Sequence, residues 1–266
     1  MIISHTHRYL FIQLPHAGST AIGAELLENY EGEAILHKHA HYLEFLRTAS
    51  PDEKTYFVFS SIRNPLDEAV SIYTHFKTNL YQNFTNPKKR KKQGGWIDDY
   101  TADFYQWFAR VQPDFSTFFR HFYKLPYDNL SCLAHRRFDY IIRFENLQAD
   151  FSEVLKQLGL EQKRPLPLVN PTKNREGDFL SYYPPTLRAE AKRVFGPFMR
   201  KWGYQFPPDW GDMSLSWSSQ LQFQVLGWGR QLYYRYLKVR SNTPARLVGE
   251  TAKRWLKSGF VRTDSR

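Results

Sequence analysis

Three short runs of apolar, β-favouring residues each precede a segment with helical spacing. The runs cover residues 9–14 (YLFIQL), 56–59 (YFVF) and 138–144 (FDYIIRF). Strands buried on both faces are continuously apolar, whereas strands with one solvated face alternate. Strands that are each followed by a helix are typical of a parallel sheet. The pattern therefore predicts an α/β fold with a central parallel sheet covered by helices on both faces.

The three helices predicted after these runs have defined starts, stops or faces. Asn64 caps the second helix and Pro65 occupies its first position. Gly159 is a stop signal for the third. The apolar positions at helical spacing are Ile22, Leu26, Leu27 and Tyr30 in the first helix, Leu66, Val70, Tyr73 and Phe76 in the second, and Phe151, Val154, Leu155 and Leu158 in the third.

The pattern changes after Pro207-Pro208. Six apolar residues recur at helical spacing in a basic context: Trp217, Leu221, Val225, Trp228, Leu232 and Tyr236. We expect a domain over residues 1–208 and a basic helical extension over residues 209–266. One interpretation is a C-terminal helix packed on the domain or on a second subunit. The other places a basic amphipathic helix on an anionic membrane surface as a peripheral contact.

The charge is concentrated in that extension. The chain of 266 residues has a formal net charge of +11, and residues 211–266 hold ten Lys or Arg against three Asp or Glu. Such an excess favours anionic partners. The remaining residues are only mildly basic, and no nucleic-acid-binding module is recognisable, so we expect no nucleic-acid partner.

Compartment signals are sparse. Cys132 is the only cysteine, which excludes an internal disulfide. The longest apolar runs fall short of the roughly 20 residues that a membrane span needs. The first residues lack a basic region followed by a long apolar stretch, which a secretory signal would have. We therefore expect a cytoplasmic protein.

The first strand-to-helix turn reads PHAGST, residues 15–20. A strand, a tight turn and a helix collect backbone N–H groups and the positive end of a helix dipole around one point, which suits a phosphate. Gly18 permits a close backbone approach, and Ser19 and Thr20 add hydroxyl donors. An ordinary capped turn is the alternative. No Walker A loop is present, so a nucleotide kinase would lack its usual lysine.

Taken together with IRNPLDEAVSIY, residues 62–73, this turn resembles the sulfotransferases that use 3′-phosphoadenosine 5′-phosphosulfate (PAPS), especially the carbohydrate-type members. The likeness covers roughly residues 8–206 and implies a three-layer, P-loop-like fold. It implies PAPS as the sulfuryl donor, 3′-phosphoadenosine 5′-phosphate (PAP) as the product, and no metal. The acceptor would be a hydroxyl of a carbohydrate or a similar small molecule.

The resemblance also assigns the residues that would hold the donor. Arg63 and Ser71 would grip the 3′-phosphate, and Lys173 in a late loop would contact the nucleotide. A guanidinium gives a phosphate a bidentate, charged grip, and a hydroxyl adds an oriented donor. The 5′-phosphosulfate would lie on the first turn, formed by Pro15, His16, Ala17, Gly18, Ser19 and Thr20.

His16 departs from the family pattern, which usually has a lysine there. That lysine neutralises charge on the bridging oxygen as the sulfuryl group leaves. A protonated histidine could do the same, and a neutral one could still donate one hydrogen bond. We interpret His16 as a catalytic residue. The alternative is a non-catalytic protein that binds PAP or PAPS without turnover.

Transfer to a hydroxyl also needs a base, and the stretch LHKHAHYLEF offers His37, His39 and His41. On an extended segment their alternation would put all three imidazoles on one face. His39 is our preferred candidate for the base. A metal site is a weaker interpretation, since neither a cysteine nor a carboxylate cluster completes it. A surface or structural role is the remaining alternative.

Overall fold

The computed structural model describes residues 1–129, 138–167, 177–212 and 214–237. The described chain divides into two compact units. Unit 1 contains residues 1–63, 129 and 138–167, and unit 2 contains residues 64–128, 177–212 and 214–237. Unit 1 is therefore assembled from two separate stretches of sequence.

Unit 1 contains a five-stranded sheet with the order β3-β1-β2-β4-β5. Strand β2 pairs in parallel with β4, and β4 pairs in parallel with β5, which confirms the parallel core predicted from the apolar runs. Strand β1 is antiparallel to both β2 and β3, and the sequence pattern predicted neither β1 nor β3. The strands are β1 (Ile2–Ser4), β2 (Tyr9–Ile12), β3 (Glu33–Ala34), β4 (Phe57–Ile62) and β5 (Tyr140–Arg143).

Eight α-helices lie within the described residues. Those of unit 1 are α1 (Ser19–Asn29), α2 (Tyr42–Thr48) and α6 (Leu147–Gln157). Those of unit 2 are α3 (Pro65–Thr78), α4 (Asp99–Val111), α5 (Phe115–Phe122), α7 (Pro185–Trp202) and α8 (Trp217–Leu232).

The core of unit 1 forms where apolar faces of α1 and α6 meet the sheet. Phe11 and Phe59, on neighbouring parallel strands, stack with ring centroids 5.0 Å apart. Every residue of β2 is buried, as a strand covered on both faces requires. The core residues are Ile2, Tyr9, Phe11, Ile22, Leu26, Tyr30, Phe59, Ile142, Phe151, Val154, Leu155 and Leu166.

The core of unit 2 is aromatic. Phe76 on α3 stacks on Phe84 at 4.4 Å and meets Phe104 of α4 edge-on at 5.1 Å. Tyr73, also on α3, lies 5.3 Å from Phe118 of α5 and donates its hydroxyl hydrogen to Pro113 O. The aromatic residues between 104 and 123 lie mostly on α4 and α5, with a break at residues 112–114, and their buried rings hold the helices of this unit together.

Helix α8 confirms the helical spacing of the C-terminal pattern and packs within unit 2. It packs on α7 through the face that carries Ser219, Leu226 and Arg230, all buried. The helix thus packs on the predicted domain, but not through its apolar stripe, since the side chains of Trp217, Leu221, Val225, Trp228 and Leu232 are exposed. The division into a domain and an extension at residues 208 and 209 stays a prediction.

Two polar contacts within unit 2 explain why the face of α8 that carries Ser219 and Arg230 points inward. Ser219 Oγ donates to Arg193 O at 2.5 Å. The fully buried Arg230 places Nη1 3.7 Å from Asp128 Oδ2. A buried charge needs a partner of opposite sign, so this pair fixes which face of α8 turns inward. None of the helices in the described parts of the chain is long and apolar enough to cross a membrane.

Candidate functional site

The turn between β2 and α1 lies at the carboxyl end of a central parallel strand. Ile12 ends β2, and Ser19 is the first residue of α1. Gly18 occupies the N-cap position with φ +74°, and its carbonyl accepts from Ala21 N at 3.0 Å and Ile22 N at 3.3 Å. A glycine has no side chain to cap the first N–H groups of the helix. This helix start therefore presents donors to an anion.

Gly18 is also required by its surroundings within unit 1. A Cβ atom at this position would lie 3.1 Å from Leu147 Cδ1 and 3.2 Å from Phe144 Cδ2, closer than ordinary packing. Its positive φ is likewise one that side chains rarely adopt. The predicted role of Gly18 in a close-approach turn is therefore consistent with both backbone and packing.

Gln13 holds the turn in shape. Its Nε2 donates to Ser19 O at 3.3 Å, across the turn. The backbone carbonyl oxygen of Gln13 lies 2.8 Å from His39 Nδ1. Gly23 leaves room for the amide, since a Cβ there would lie 2.8 Å from Gln13 Nε2. Gln13 carries no sequence signal for this role, which depends on folding of the segment around His39.

Arg63 lies beside the turn at the end of β4, with only 6% of its surface exposed. Its Nη1 donates to His16 O over 3.5 Å, a long hydrogen bond, and its Cζ lies 4.2 Å from the centre of the Phe144 ring. Stacking on an aromatic ring orients a guanidinium plane. The sequence predicted Arg63 as a phosphate ligand but did not predict Phe144 as its support.

Lys38 is a second cation at the turn and was not among the residues predicted for the site. Its Nζ donates to Thr20 Oγ1 at 2.9 Å, in the first turn of α1. Burial lowers the pKa of this ammonium from its ordinary value. A signal existed in the sequence, because Lys38 and Lys54 are the only lysines between the PHAGST turn and Arg63.

The histidines do not share one face, contrary to the expectation. Residues 38 and 39 form a turn, with Ala40 N donating to His37 O, so the segment is not extended. His37 is exposed, and its Nε2 lies 3.3 Å from Glu44 Oε2. His41 precedes α2, and its backbone N–H donates to Glu44 Oε1. In the described part of the chain no group of His, Cys, Asp and Glu is arranged to hold a metal ion.

His39 is buried, and its contact with Gln13 defines a tautomer. A carbonyl oxygen only accepts, so Nδ1 of His39 carries the hydrogen of the 2.8 Å bond. In the neutral ring, Nε2 is then the acceptor nitrogen. A fixed tautomer is the arrangement that a general base requires.

The remaining predicted residues lie in different surroundings. His16 is half-buried with a left-handed φ of +58°. Pro15, Ala17 and Ser19 are buried, whereas Thr20 is exposed. Ser71 is buried on α3 in unit 2, and its pairing with Arg63 stays a prediction. Lys173 lies outside the described residues.

Comparison with protein-family models identifies the chain. The model described as "Sulfotransferase family" matches residues 1–195, so the chain belongs to the sulfotransferase family. Searches of curated proteins and of solved structures gave no match. The matched residues include the turn, Lys38, His39 and Arg63.

Proposed function

We propose that this sulfotransferase uses PAPS as its donor and transfers the sulfuryl group to a hydroxyl of a carbohydrate or a similar small acceptor. One observation carries the proposal: the glycine-capped start of α1 is accompanied by two cations, Lys38 on Thr20 and Arg63 on His16 O. Backbone N–H groups, a helix dipole and two cationic side chains match a ligand with several negative charges.

The residues of the turn suit the 5′ end of the donor. The N–H groups at the start of α1 and the hydroxyls of Ser19 and Thr20 would hold the phosphosulfate, with Lys38 adding charge. Arg63 is the candidate for the 3′-phosphate, together with Ser71, as the resemblance implies. The support for Arg63 is its burial and its stacking on Phe144, which orient the guanidinium before any ligand arrives.

The chemistry divides among three side chains. The acceptor oxygen would form the new bond to sulfur while the bond from sulfur to the bridging phosphate oxygen breaks. His39 Nε2 would take the proton of the acceptor hydroxyl. His16 and Lys38 would stabilise the negative charge that the bridging oxygen gains as PAP leaves. Such positioned charges supply a large share of catalysis in loose group transfers of this kind.

A non-catalytic protein that binds PAP remains the second candidate, because His16 stands where the family usually has a lysine. Lys38 weakens that alternative. It supplies an ammonium to the same turn from a different segment of the chain, within hydrogen-bonding distance of Thr20. Although position 16 is not a lysine, the turn therefore still has a lysine side chain beside it.

Two measurements test the proposal. Calorimetry with PAP, ATP and AMP should show tightest binding of PAP, since only PAP carries both a 3′- and a 5′-phosphate. Labelled PAPS, offered with a panel of sugars and glycolipids, should then yield a sulfated product. Tighter binding of ATP than of PAP would refute the proposal that PAPS is the donor. Tight PAP binding without transfer to any acceptor, together with turnover in His16→Lys, would establish the non-catalytic alternative.

A further inference from the structure

Helix α8 has two faces of opposite character. Its inner face is held by Ser219, Leu226 and Arg230, as described above. Its outer face carries five apolar side chains that are largely exposed: Trp217 76%, Leu221 40%, Val225 43%, Trp228 64% and Leu232 58%. At about 100° per residue these five lie within an arc of about 80°, opposite the inner face.

Exposed large hydrophobic side chains are concentrated on this helix. Among the described residues, ten large hydrophobic side chains are at least 40% exposed, and half of them stand on this one helix. Single exposed apolar residues are ordinary, but a contiguous stripe with two tryptophans marks an interaction surface. We call these five residues the outer stripe.

Charge selects the kind of partner. Residues 213–249 contain no Asp or Glu, whereas they contain Arg230, Arg235, Lys238, Arg240 and Arg246. The other residues of α8 are Ser, Gln and Gly, apart from the half-buried Phe223, the buried Leu226 and the buried Arg230. The helix and the sequence that follows it, up to residue 249, therefore carry only neutral or cationic side chains, and a complementary partner is apolar and negatively charged.

A second copy of the chain fits this charge poorly. In a two-fold symmetric contact the same patch meets itself. Both copies would then bring Arg235, which is exposed just beyond α8, and no carboxylate from residues 213–249, so the two patches would repel through like charge. A bilayer with anionic headgroups avoids this repulsion. It also accepts tryptophan rings at the interface and attracts basic residues beside them.

We propose that the outer stripe of α8 docks the protein on the surface of an anionic lipid bilayer. The helix lies in the plane of the interface, with Trp217, Leu221, Val225, Trp228 and Leu232 inserted between headgroups and Arg235 near the phosphates. Binding combines apolar burial with attraction to negative lipid. This proposal does not rest on the identity of the sulfuryl donor or acceptor.

Sedimentation of the full chain with lipid vesicles tests the proposal. Truncation is unsuitable because removal of α8 would leave Asp128 buried without Arg230. Wild type should sediment with phosphatidylcholine vesicles that contain phosphatidylserine, should bind pure phosphatidylcholine weakly, and should release in high salt. The double variant Leu221→Gln/Val225→Gln should bind the anionic vesicles about tenfold more weakly or worse, because two inserted side chains lose their apolar burial.

Matched controls distinguish binding through the outer stripe from non-specific binding through any exposed apolar surface. Tyr100 and Val111 are exposed on α4 of the same unit, so Tyr100→Gln/Val111→Gln removes comparable apolar surface elsewhere. This control should bind vesicles like wild type. Circular dichroism should show that both double variants retain the helical content of wild type. Tryptophan emission should shift to shorter wavelength with vesicles in wild type and in the control.

Three outcomes would overturn the proposal. Equal vesicle binding by the stripe variant and by wild type would exclude the stripe as the contact. Equal binding to neutral and anionic vesicles would exclude the charge selection. Light scattering that shows a wild-type dimer, dissociated by the stripe variant and without vesicle binding, would assign the surface to a second copy instead.

Discussion

Helices α1 and α3 each follow a sheet strand within a few residues, yet they begin in different ways. Helix α3 starts with Pro65, and Asn64 Oδ1 accepts from Leu66 N at 3.0 Å. Asp67 and Glu68 lie in its first turn. Helix α1 has Gly18 at its N-cap, has no side-chain cap, and has no acidic residue in its first turn.

The difference shows how a helix start becomes a binding site. A side-chain cap and nearby carboxylates satisfy the N–H groups and the dipole from within the chain. Helix α1 lacks both, and cations from two other segments, Lys38 and Arg63, lie beside it. The start of α3 is complete without a ligand, whereas the start of α1 is suited to receive an anion.

The largest effect is expected at His16. His16→Ala should lower kcat about 100-fold or more, because a stabiliser of charge in the transition state is lost. PAP affinity should change only a few-fold, since the effect belongs to the transition state. His16→Lys should retain much of the activity. Steady-state kinetics and calorimetry measure both quantities, and an alanine variant as fast as wild type would exclude His16 from the mechanism.

Arg63 should have the next largest effect. Arg63→Ala should weaken PAP binding by about 10- to 150-fold, the range for loss of a charged hydrogen bond of about 1.5–3 kcal/mol. If Arg63 holds the 3′-phosphate, adenosine 5′-phosphosulfate, which lacks that group, should lose far less affinity. Equal losses for both ligands would instead assign Arg63 to the 5′ side, consistent with its contact to His16 O.

Lys38→Ala should weaken PAP binding about tenfold, the equivalent of about 1.4 kcal/mol, and the ammonium of wild type should make PAP affinity depend on pH. Lys38 binds an anion as the ammonium, so PAP affinity should fall as pH rises through its pKa. Burial lowers this pKa, and the fall should therefore begin at lower pH than for an ordinary lysine.

Lys38→Arg is the matched variant for this pH effect, because a guanidinium stays protonated across the accessible range. It should keep the affinity of wild type near neutral pH and should remove the alkaline fall. Lys54→Ala, a lysine in the same unit, should leave the whole profile unchanged. An alkaline fall that persists in Lys38→Arg would assign the titration to another group.

The smallest effect concerns a helix start that is already complete. Asp114 caps α5, and its Oδ1 accepts from Thr117 N at 2.8 Å. Asp114→Ala should lower the free energy of unfolding by about 1 kcal/mol and should not change PAP affinity. Hydrogen bonds from Thr117 lower the pKa of this carboxyl, so its contribution is present above the unfolded-state pKa and is lost as pH falls through the folded-state value.

Thermal or denaturant unfolding at several pH values measures the Asp114 effect. Asp114→Asn provides the control, because an amide caps a helix without titrating. An Asp114→Ala variant that weakens PAP binding as much as Lys38→Ala would remove the proposed distinction between complete and incomplete helix starts.

Much of unit 1 could be predicted because its strands and helices carry strong local patterns. Strands β2, β4 and β5 are continuous apolar runs, and their parallel pairing follows from the helices between them. Strands β1 and β3 have only three and two residues, too short for a pattern. Their existence depends on pairing with each other and with β2, which sequence spacing does not show.

The site was predictable where one short motif supplies it and unpredictable where distant segments meet. Gly18 and the turn follow from local sequence. Lys38, Gln13 and Phe144 matter through contacts to Thr20, His39 and Arg63, which only the folded chain creates. The direction of the apolar stripe of α8 stayed open between two interpretations, because helical spacing reveals a face but not the direction in which it points.

Unit 1 is assembled from two separate stretches of sequence, and this has a consequence for synthesis of the chain. Strand β4 pairs with β5 from Phe59 with Tyr140 to Ile62 with Arg143, so 81 residues separate each pair of partners. At about 5–20 residues per second, β5 leaves the ribosome about 4–16 seconds after β4. During that interval one edge of β4 lacks its native neighbour and can pair with other chains. The sheet is therefore most vulnerable to aggregation while the first helices of unit 2 are being translated.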